Sequence, residues 1–219
     1  VYWGMARANE VIDAVAEAAE GDDPVEAGRA AQIIAEARFL RAFHGLQGQL
    51  HFRNPAYVDD AAYDVNDTES SKVPNSGQIW DQIIADFTAA AAGLPATQSD
   101  LGRATSWAAK AFLAKTHMHT GDAGLIAAAI PVMEDIVNNG GFSLVAKYED
   151  NHLVATRNNS ESIFEIQYAI SSGDDQNGNK GVGLAHPYIS PWGCCGFWQA
   201  SQDMVDFHHT DANGLPWLN

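Results

Sequence analysis

Residues 30–46 read Ala30-Ala31-Gln32-Ile33-Ile34-Ala35-Glu36-Ala37-Arg38-Phe39-Leu40-Arg41-Ala42-Phe43-His44-Gly45-Leu46. Apolar residues recur there at intervals of three and four, through Ala30, Ile33, Ile34, Ala37, Leu40, Phe43 and Leu46, and Leu50 continues the row. That period is helical, and it predicts one long helix over about 25–51 with this row as its buried face. Glu36, Arg38 and Arg41 stand in the same stretch at i, i+2 and i+5. Such spacing suits ion pairs to neighbouring helices better than a catalytic constellation.

The same period extends on both sides. Upstream, Met5, Ala8, Ile12, Val15 and Ala19 form a stripe on an Ala-rich helix over about 1–20, stopped by Gly21, with Asp22-Asp23-Pro24 starting the next helix. Downstream, residues 54–75 have no periodicity and are rich in Asp, Asn and Ser, with Tyr57 and Tyr63 embedded. A loop of that length is commonly functional or mobile. A third helix is expected from an N-cap at Asn75 or Ser76, with Ile79, Trp80, Ile83, Ile84 and Phe87 on one face, ending at Gly93-Leu94-Pro95. Thr105 or Ser106 caps a fourth helix, which runs to about His119. Gly121-Asp122 turns into a fifth that stops at Asn138-Asn139-Gly140-Gly141. Pro131 is a misfit there, predicting a kink or a stability cost unless the helix begins near it. The last two helices form an αα-hairpin, the unit of tetratricopeptide-like arrays. Trp3, Trp80 and Trp107 fall on helical stripes and are expected in the core or in helix packing.

Residues 1–141 thus read as a helical scaffold, and 142–219 as an irregular portion of the same domain. Within the latter, residues 162–168 alternate apolar and polar as a half-buried strand would. Residues 171–183 form a Gly/Asn/Asp loop, residues 186–198 carry aromatics in an irregular frame, and a short helix is expected around 199–207. The class is mainly α with a loop- and short-strand-containing C-terminal portion.

Composition narrows the function. The chain has 219 residues, 46% hydrophobic and 18% charged, which places it among globular proteins. Its 28 acidic against 12 basic residues give a net charge of −16. That field repels nucleic acid and disfavours polybasic attachment to anionic lipid. No apolar run is long enough for a membrane span. The chain opens at Val1 directly into a helical pattern and is expected to be a stretch of a longer protein. Cys194 and Cys195 are adjacent, which fits a vicinal disulfide or two free thiols but no CxxC metal site. His117-x-His119 sends its rings to different sides of a helix. Asp175-x-Asn177-x-Asn179 begins like a calcium loop, but Lys180 and His186 break the pattern. His208-His209 is expected at a solvated helix end. No cofactor motif and no catalytic signature such as G-x-S-x-G or HExxH is present, and no pair of carboxylates stands out for glycoside hydrolysis.

Six segments, in order, resemble one family. Arg7-Ala8-Asn9-Glu10-Val11-Ile12, Glu36-Ala37-Arg38-Phe39-Leu40-Arg41-Ala42, Ile79 to Phe87 with its Asp86, Gly102-Arg103-Ala104-Thr105 with Ala108-Ala109 and Phe112 to Lys115, Glu161 to Ile166, and Val205 to Gly214 are each similar to motifs of the SusD/RagB family of glycan-capturing outer-membrane lipoproteins. The resemblance implies a helical, tetratricopeptide-like superhelix with an irregular ligand-bearing portion. It implies a non-catalytic protein on the outer-membrane surface, held by a lipid anchor absent from this chain. It also implies a glycan ligand and docking on a SusC/RagA-type TonB-dependent transporter as partner. The alternative function is a tetratricopeptide-like protein-interaction scaffold without a small ligand; a glycoside hydrolase is a third class.

Sugars are recognised by flat apolar rings facing their C–H surfaces and by polar groups meeting their hydroxyls. Tyr188, Trp192, Phe197 and Trp198 cluster in a Pro/Gly-rich stretch beside Gln199, and are the first ligand-binding candidates. The opposing reading packs these rings into a local core. Tyr57 and Tyr63 are further candidates on their long loop.

Overall fold

The computed structural model describes residues 1–21, 24–167 and 210–213. The chain divides into two compact units, Val1–Gln167 and Tyr168–Asn219. In the second, the described residues hold a local turn in which Asn213 N donates to Asp211 Oδ1 at 2.8 Å. The first contains five helices: α1 (Tyr2–Ala19), α2 (Ala27–Phe52), α3 (Trp80–Gly93), α4 (Ser106–His119) and α5 (Ala123–Asn139), followed by two short 3₁₀ turns. Each helix packs against the next in sequence, so the fold is mainly helical and built of consecutive helix pairs.

α2 lies between α1 and α3 and buries two faces. Ala37, with Ile34 beside it, meets Ala8 and Ile12 of α1. Ala35, Phe39, Ala42 and Leu46 enter the main core with Ile83, Phe87 and Ala90 of α3 and Ala108, Ala109 and Leu113 of α4. This corrects the single-stripe expectation: Phe39 is fully buried, whereas Leu40 and Leu50 are 47% and 38% exposed. A helix sandwiched between two neighbours loses the clean one-sided period that sequence reading relies on. The centre is aromatic. Phe39 meets Phe87 and Phe112 edge-on, each at 5.7 Å between ring centroids, and Phe87 stacks on Phe112. Gly93 lets α3 close on α2, since a Cβ there would sit 2.9 Å from that of Ala35.

The helix ends show where local signals hold. Thr105 caps α4, accepting from Ala108 N at 3.2 Å, and Asp122 caps α5, accepting from Leu125 N at 2.9 Å. α2 starts at Ala27, with Glu26 accepting from Gly28 N and Arg29 N at 2.9 and 2.8 Å. α3 begins at Trp80, not after Asn75 or Ser76. Asn75 is occupied elsewhere, donating to Asn54 O at 2.8 Å, and the Ile79 amide is satisfied by Gln49 Oε1 of α2 at 2.8 Å. A long-range side chain does the work that a local cap was expected to do. α5 runs through Pro131, and both Pro131 and Ala127 are exposed, so the Ala127 carbonyl left without its amide partner faces water.

Residues 162–167 pair with no strand among the described residues. Their apolar signal has another cause: Phe164 is an anchor that packs 5.1 Å from the Phe39 ring, while Ile166 is 49% exposed. The segment is tied back through Ser143 N donating to Ser160 O at 2.9 Å, and Val145 N donating to Glu161 Oε2 at 3.1 Å.

A polar knot crosses this packing. Arg41 is 4% exposed and grips Asp86 with two parallel bonds, Nε to Oδ2 at 2.6 Å and Nη2 to Oδ1 at 2.8 Å. Its Nη1 donates to Asn9 Oδ1 at 2.9 Å and also to Asp60. Asn9 in turn donates to Val58 O at 2.9 Å, and the Tyr57 hydroxyl donates to Asp86. One guanidinium therefore joins α1, α2, α3 and the 54–75 loop. Burial opposes its charge, but the hydrogen bonds and charge of Asp86 outweigh it and hold it protonated. Burial and the Asp86 charge push the Tyr57 phenol up, so it stays a neutral donor. A second knot gathers on Glu36, which accepts from Arg103, from Gln98 Nε2 at 3.1 Å and from Gln32 Nε2 at 3.2 Å. Arg38 departs from the expected pattern: it forms no direct ion pair among the described residues and leaves Nε buried without an acceptor.

Removing Asp86 strands a buried cation. Asp86→Ala is expected to cost about 3–5 kcal/mol of unfolding free energy by urea titration. Lys72→Ala, which breaks the exposed Lys72–Glu69 pair, should change it by less than about 1 kcal/mol. Burial alone would raise the Asp60 carboxyl, yet the hydrogen bond from Arg41 and the charges of Arg41 and Arg38 together hold it below the ordinary range. A depressed carboxyl stabilises the fold above its unfolded pKa and loses that contribution as pH falls through the folded one. The stability advantage of wild type over Asp60→Asn should therefore shrink progressively below about pH 4. Pro131→Ala restores the Ala127 bond and is expected to raise stability by roughly 1–3 kcal/mol, read as a higher urea midpoint.

Candidate functional site

The 54–75 loop has an anchored half and a projecting half. Pro55, Ala56 and Val58 are buried, and Tyr57 packs against the core with its hydroxyl committed to Asp86. From Asp59 the chain turns outward through side-chain-to-backbone turns. Asp59 accepts from Ala62 N at 3.0 Å, Asp64 from Asn66 N at 2.8 Å and Asp67 from Glu69 N at 2.9 Å. Short Asp, Asn and Ser side chains favour these turns over helix or strand, which is why the stretch has no period.

The structure separates the two tyrosine candidates. Tyr57 belongs to the buried network. Tyr63 projects to the surface and donates to Glu10 Oε1 of α1 at 2.9 Å, and that bond raises its phenol. Tyr63 also lines a cleft of about 520 Å³ between the first turn of α1 and the loop. Tyr2, Trp3 and Val65 supply further apolar wall, while Asp64, Asp67, Thr68, Ser71 and Asn75 supply polar edge. The Tyr2 hydroxyl accepts from Ala56 N at 3.1 Å, fixing one wall to the loop.

Trp3 does not sit in the core, as its helical position suggests. It is 74% exposed, with the Arg7 guanidinium 5.0 Å from its ring centroid. The first turn of α1 does lie against α2, with Gly4 facing His44 and Val1 facing Gly48, and Trp3 falls on the side of that turn that α2 leaves uncovered, so its helical position alone misplaces it. Trp80 packs against the core as expected, and Trp107 is half-buried beneath Lys110 Nζ at 4.3 Å.

The flank of the cleft is acidic. Burial pushes the Asp13 carboxyl up, and the charges of Asp60, Glu17 and Asp64 push it further. No group of three or more His, Cys, Asp or Glu side chains is placed to hold a metal ion among the described residues. His117 is buried and His119 exposed, consistent with their opposite directions on α4. A separate apolar groove of about 530 Å³ lies between α4 and α5, lined by Met118, Met133 and Val137 among others. No described helix is long and apolar enough to cross a membrane. Tyr188, Trp192, Phe197, Trp198 and Gln199 lie outside the described residues, as do Cys194-Cys195, the calcium-like stretch at Asp175, the helix expected at 199–207 and His208-His209.

Arrangements of this kind, aromatic faces rimmed by hydrogen-bonding groups, suit neutral polar ligands such as sugars. No protein-family model matches the chain. A SusD-like protein of Bacteroides ovatus is 31% identical over 175 residues, covering 76% of this chain and 31% of that protein. Among solved structures, surface glycan-binding protein A from Bacteroides fluxus is 28% identical with a TM-score of 0.62, covering 75% of this chain and 34% of the other. A laminarin-binding SusD-like protein is 26% identical with a TM-score of 0.62, covering 76% and 36% respectively. A further structure, with xylogluco-oligosaccharide, is 27% identical with a TM-score of 0.56 and coverage of 77% and 34%. The chain thus spans about a third of the length of the relatives it matches. The residues that carry the sequence motifs, Asn9, Glu36, Arg41, Asp86 and Arg103, meet one another in the two polar knots of the helical scaffold. With that agreement of motif, partner geometry and fold, the chain belongs to the SusD/RagB family.

Proposed function

We propose that the full-length protein captures an oligo- or polysaccharide at the cell surface, without catalysis, and passes it to a SusC/RagA-type TonB-dependent transporter. One observation carries this reading: relatives sharing the described helical scaffold at 26–28% identity are named for glycan or laminarin binding. The net charge of −16 is compatible with a neutral carbohydrate and unfavourable for nucleic acid. The family likeness favours an outer-membrane location on the outer face, with attachment through a lipid anchor. Tyr188, Trp192, Phe197, Trp198 and Gln199 are proposed as ligand contacts, with Tyr63 at the projecting loop. Tyr57 is held by Asp86, so any part it takes is indirect.

The alternative, a protein-interaction scaffold with no small ligand, has the apolar α4–α5 groove in its favour. Affinity electrophoresis and isothermal titration of the full-length protein on a polysaccharide panel separate the two. Glycan capture predicts retardation on at least one neutral polysaccharide, without release of reducing ends. Trp192→Ala and Trp198→Ala should each weaken that binding about tenfold or more, as loss of a stacking ring does. Undiminished binding in both variants would remove the 188–199 assignment, and no binding to any polysaccharide would leave the scaffold reading.

A further inference from the structure

We infer that the cleft between the first turn of α1 and the 59–75 loop is a second sugar-contact surface, with Trp3 as its platform, selective for neutral hexopyranosides over uronates and sulfated sugars. The inference rests on the glycan-capture reading and concerns residues separate from 188–199.

Three observations carry it. The first is Trp3 itself. An indole 74% exposed has a large apolar face that the described residues leave mostly uncovered. Arg7, which does not line the cleft, sits over the ring at 5.0 Å and restrains its orientation, while the ring still lines the cleft. A restrained, exposed aromatic face is the surface on which the axial C–H groups of a pyranose pack. The second is the supply of acceptors. Asp64 and Asp67 each commit one carboxylate oxygen to a loop amide, Asn66 N at 2.8 Å and Glu69 N at 2.9 Å, and the other oxygen accepts no bond from the described residues. Among the described residues the Thr68 hydroxyl makes no hydrogen bond, and Asn75 donates through Nδ2 to Asn54 O while its Oδ1 accepts none. Sugar hydroxyls are the matching donors, and hydroxyl-to-carboxylate bonds are among the stronger neutral-ligand contacts.

The third is charge. No Lys or Arg stands among the described residues lining the cleft, whereas two carboxylates do. The Asp64 charge is already felt at Asp13, whose carboxyl is pushed up mainly by burial and then by Asp60, Glu17 and Asp64. A ligand carboxylate or sulfate in the cleft would meet like charge from the described lining residues, and the nearest cation, Arg7, is turned onto the Trp3 ring instead of lining the cleft. At about 520 Å³ the space falls within the range of small-ligand pockets, about 300–1,000 Å³.

The test is isothermal titration of the full-length protein with laminarihexaose, a xyloglucan heptasaccharide and trigalacturonate. Wild type is compared with Trp3→Ala, Thr68→Val and the double variant Asp64→Asn/Asp67→Asn. Trp3 and Thr68 are exposed, so unfolding temperatures should stay at the wild-type value. Wild type is expected to bind at least one neutral oligosaccharide about tenfold or more tightly than trigalacturonate. Trp3→Ala should lower the stoichiometry or weaken the dissociation constant for the neutral ligand about tenfold, and Thr68→Val about threefold. The double Asn variant should narrow the gap to trigalacturonate. Neutral-sugar affinity and stoichiometry unchanged in Trp3→Ala would overturn the cleft while leaving capture intact. Trigalacturonate bound as tightly as the neutral sugars would overturn the selectivity. Binding of none of the three by a wild-type protein that still retains a polysaccharide of the panel would overturn this inference alone, and binding of no polysaccharide at all would overturn capture with it.

Discussion

A single buried guanidinium sets the geometry of the helical unit. Arg41 is on the middle helix, and its partners come from the helix before it, the helix after it and the intervening loop. A buried cation is costly unless every donor is used, so its partners are held to tight positions. Apolar packing between α2 and its neighbours is compatible with several small slides and rotations. The bidentate Arg41–Asp86 grip and the Asn9 bridge to Val58 admit far fewer. The loop that carries the candidate cleft is therefore launched from a rigid base, while its outer half is shaped by Asp and Ser turns of its own.

This division also explains what the family motifs report. Asn9, Glu36, Arg41, Asp86 and Arg103 are charged or polar residues in helical sequence, a pattern easily mistaken for an active site. Their partners are one another. Glu36 and Arg103 join α2 to the segment before α4, as Arg41 and Asp86 join α2 to α3. The likeness thus carries scaffold information, and ligand choice is left to the loops. The acidity around Asp13, Asp60 and Asp64 is offset by the same scaffold, by Arg41 at Asp13 and by Arg41 with Arg38 at Asp60.

Helix existence, order and most ends were legible in the sequence, because apolar period and capping chemistry are local. The pairing of α4 with α5 across the Gly121-Asp122 turn, the α4 cap at one of Thr105 and Ser106 and the stop at Gly93 came from residues within a turn of the feature they fix. The structure departs from sequence reading where a distant residue intervenes. α3 starts late because Gln49 takes the Ile79 amide and Asn75 is engaged by Asn54. The apparent strand at 162–167 is a single phenylalanine anchored on the Phe39 ring. Of the candidate site, Tyr63 was legible as an aromatic in a long polar loop. Trp3 was not, since its helical position suggested packing and only the three-dimensional placement of α2 shows which side of that turn is covered.

By itself, then, the sequence determined a mainly helical, acidic chain and, within the described residues, five helices in a fixed order. Those properties depend on interactions a few residues apart, which the sequence spells out directly. Only the tertiary structure decided that Phe39 is the centre of the core, that Tyr57 is an internal donor while Tyr63 faces a cleft, and that Trp3 is a surface ring. Each of those depends on which face of one helix another element covers, a matter of three-dimensional neighbours up to tens of residues apart.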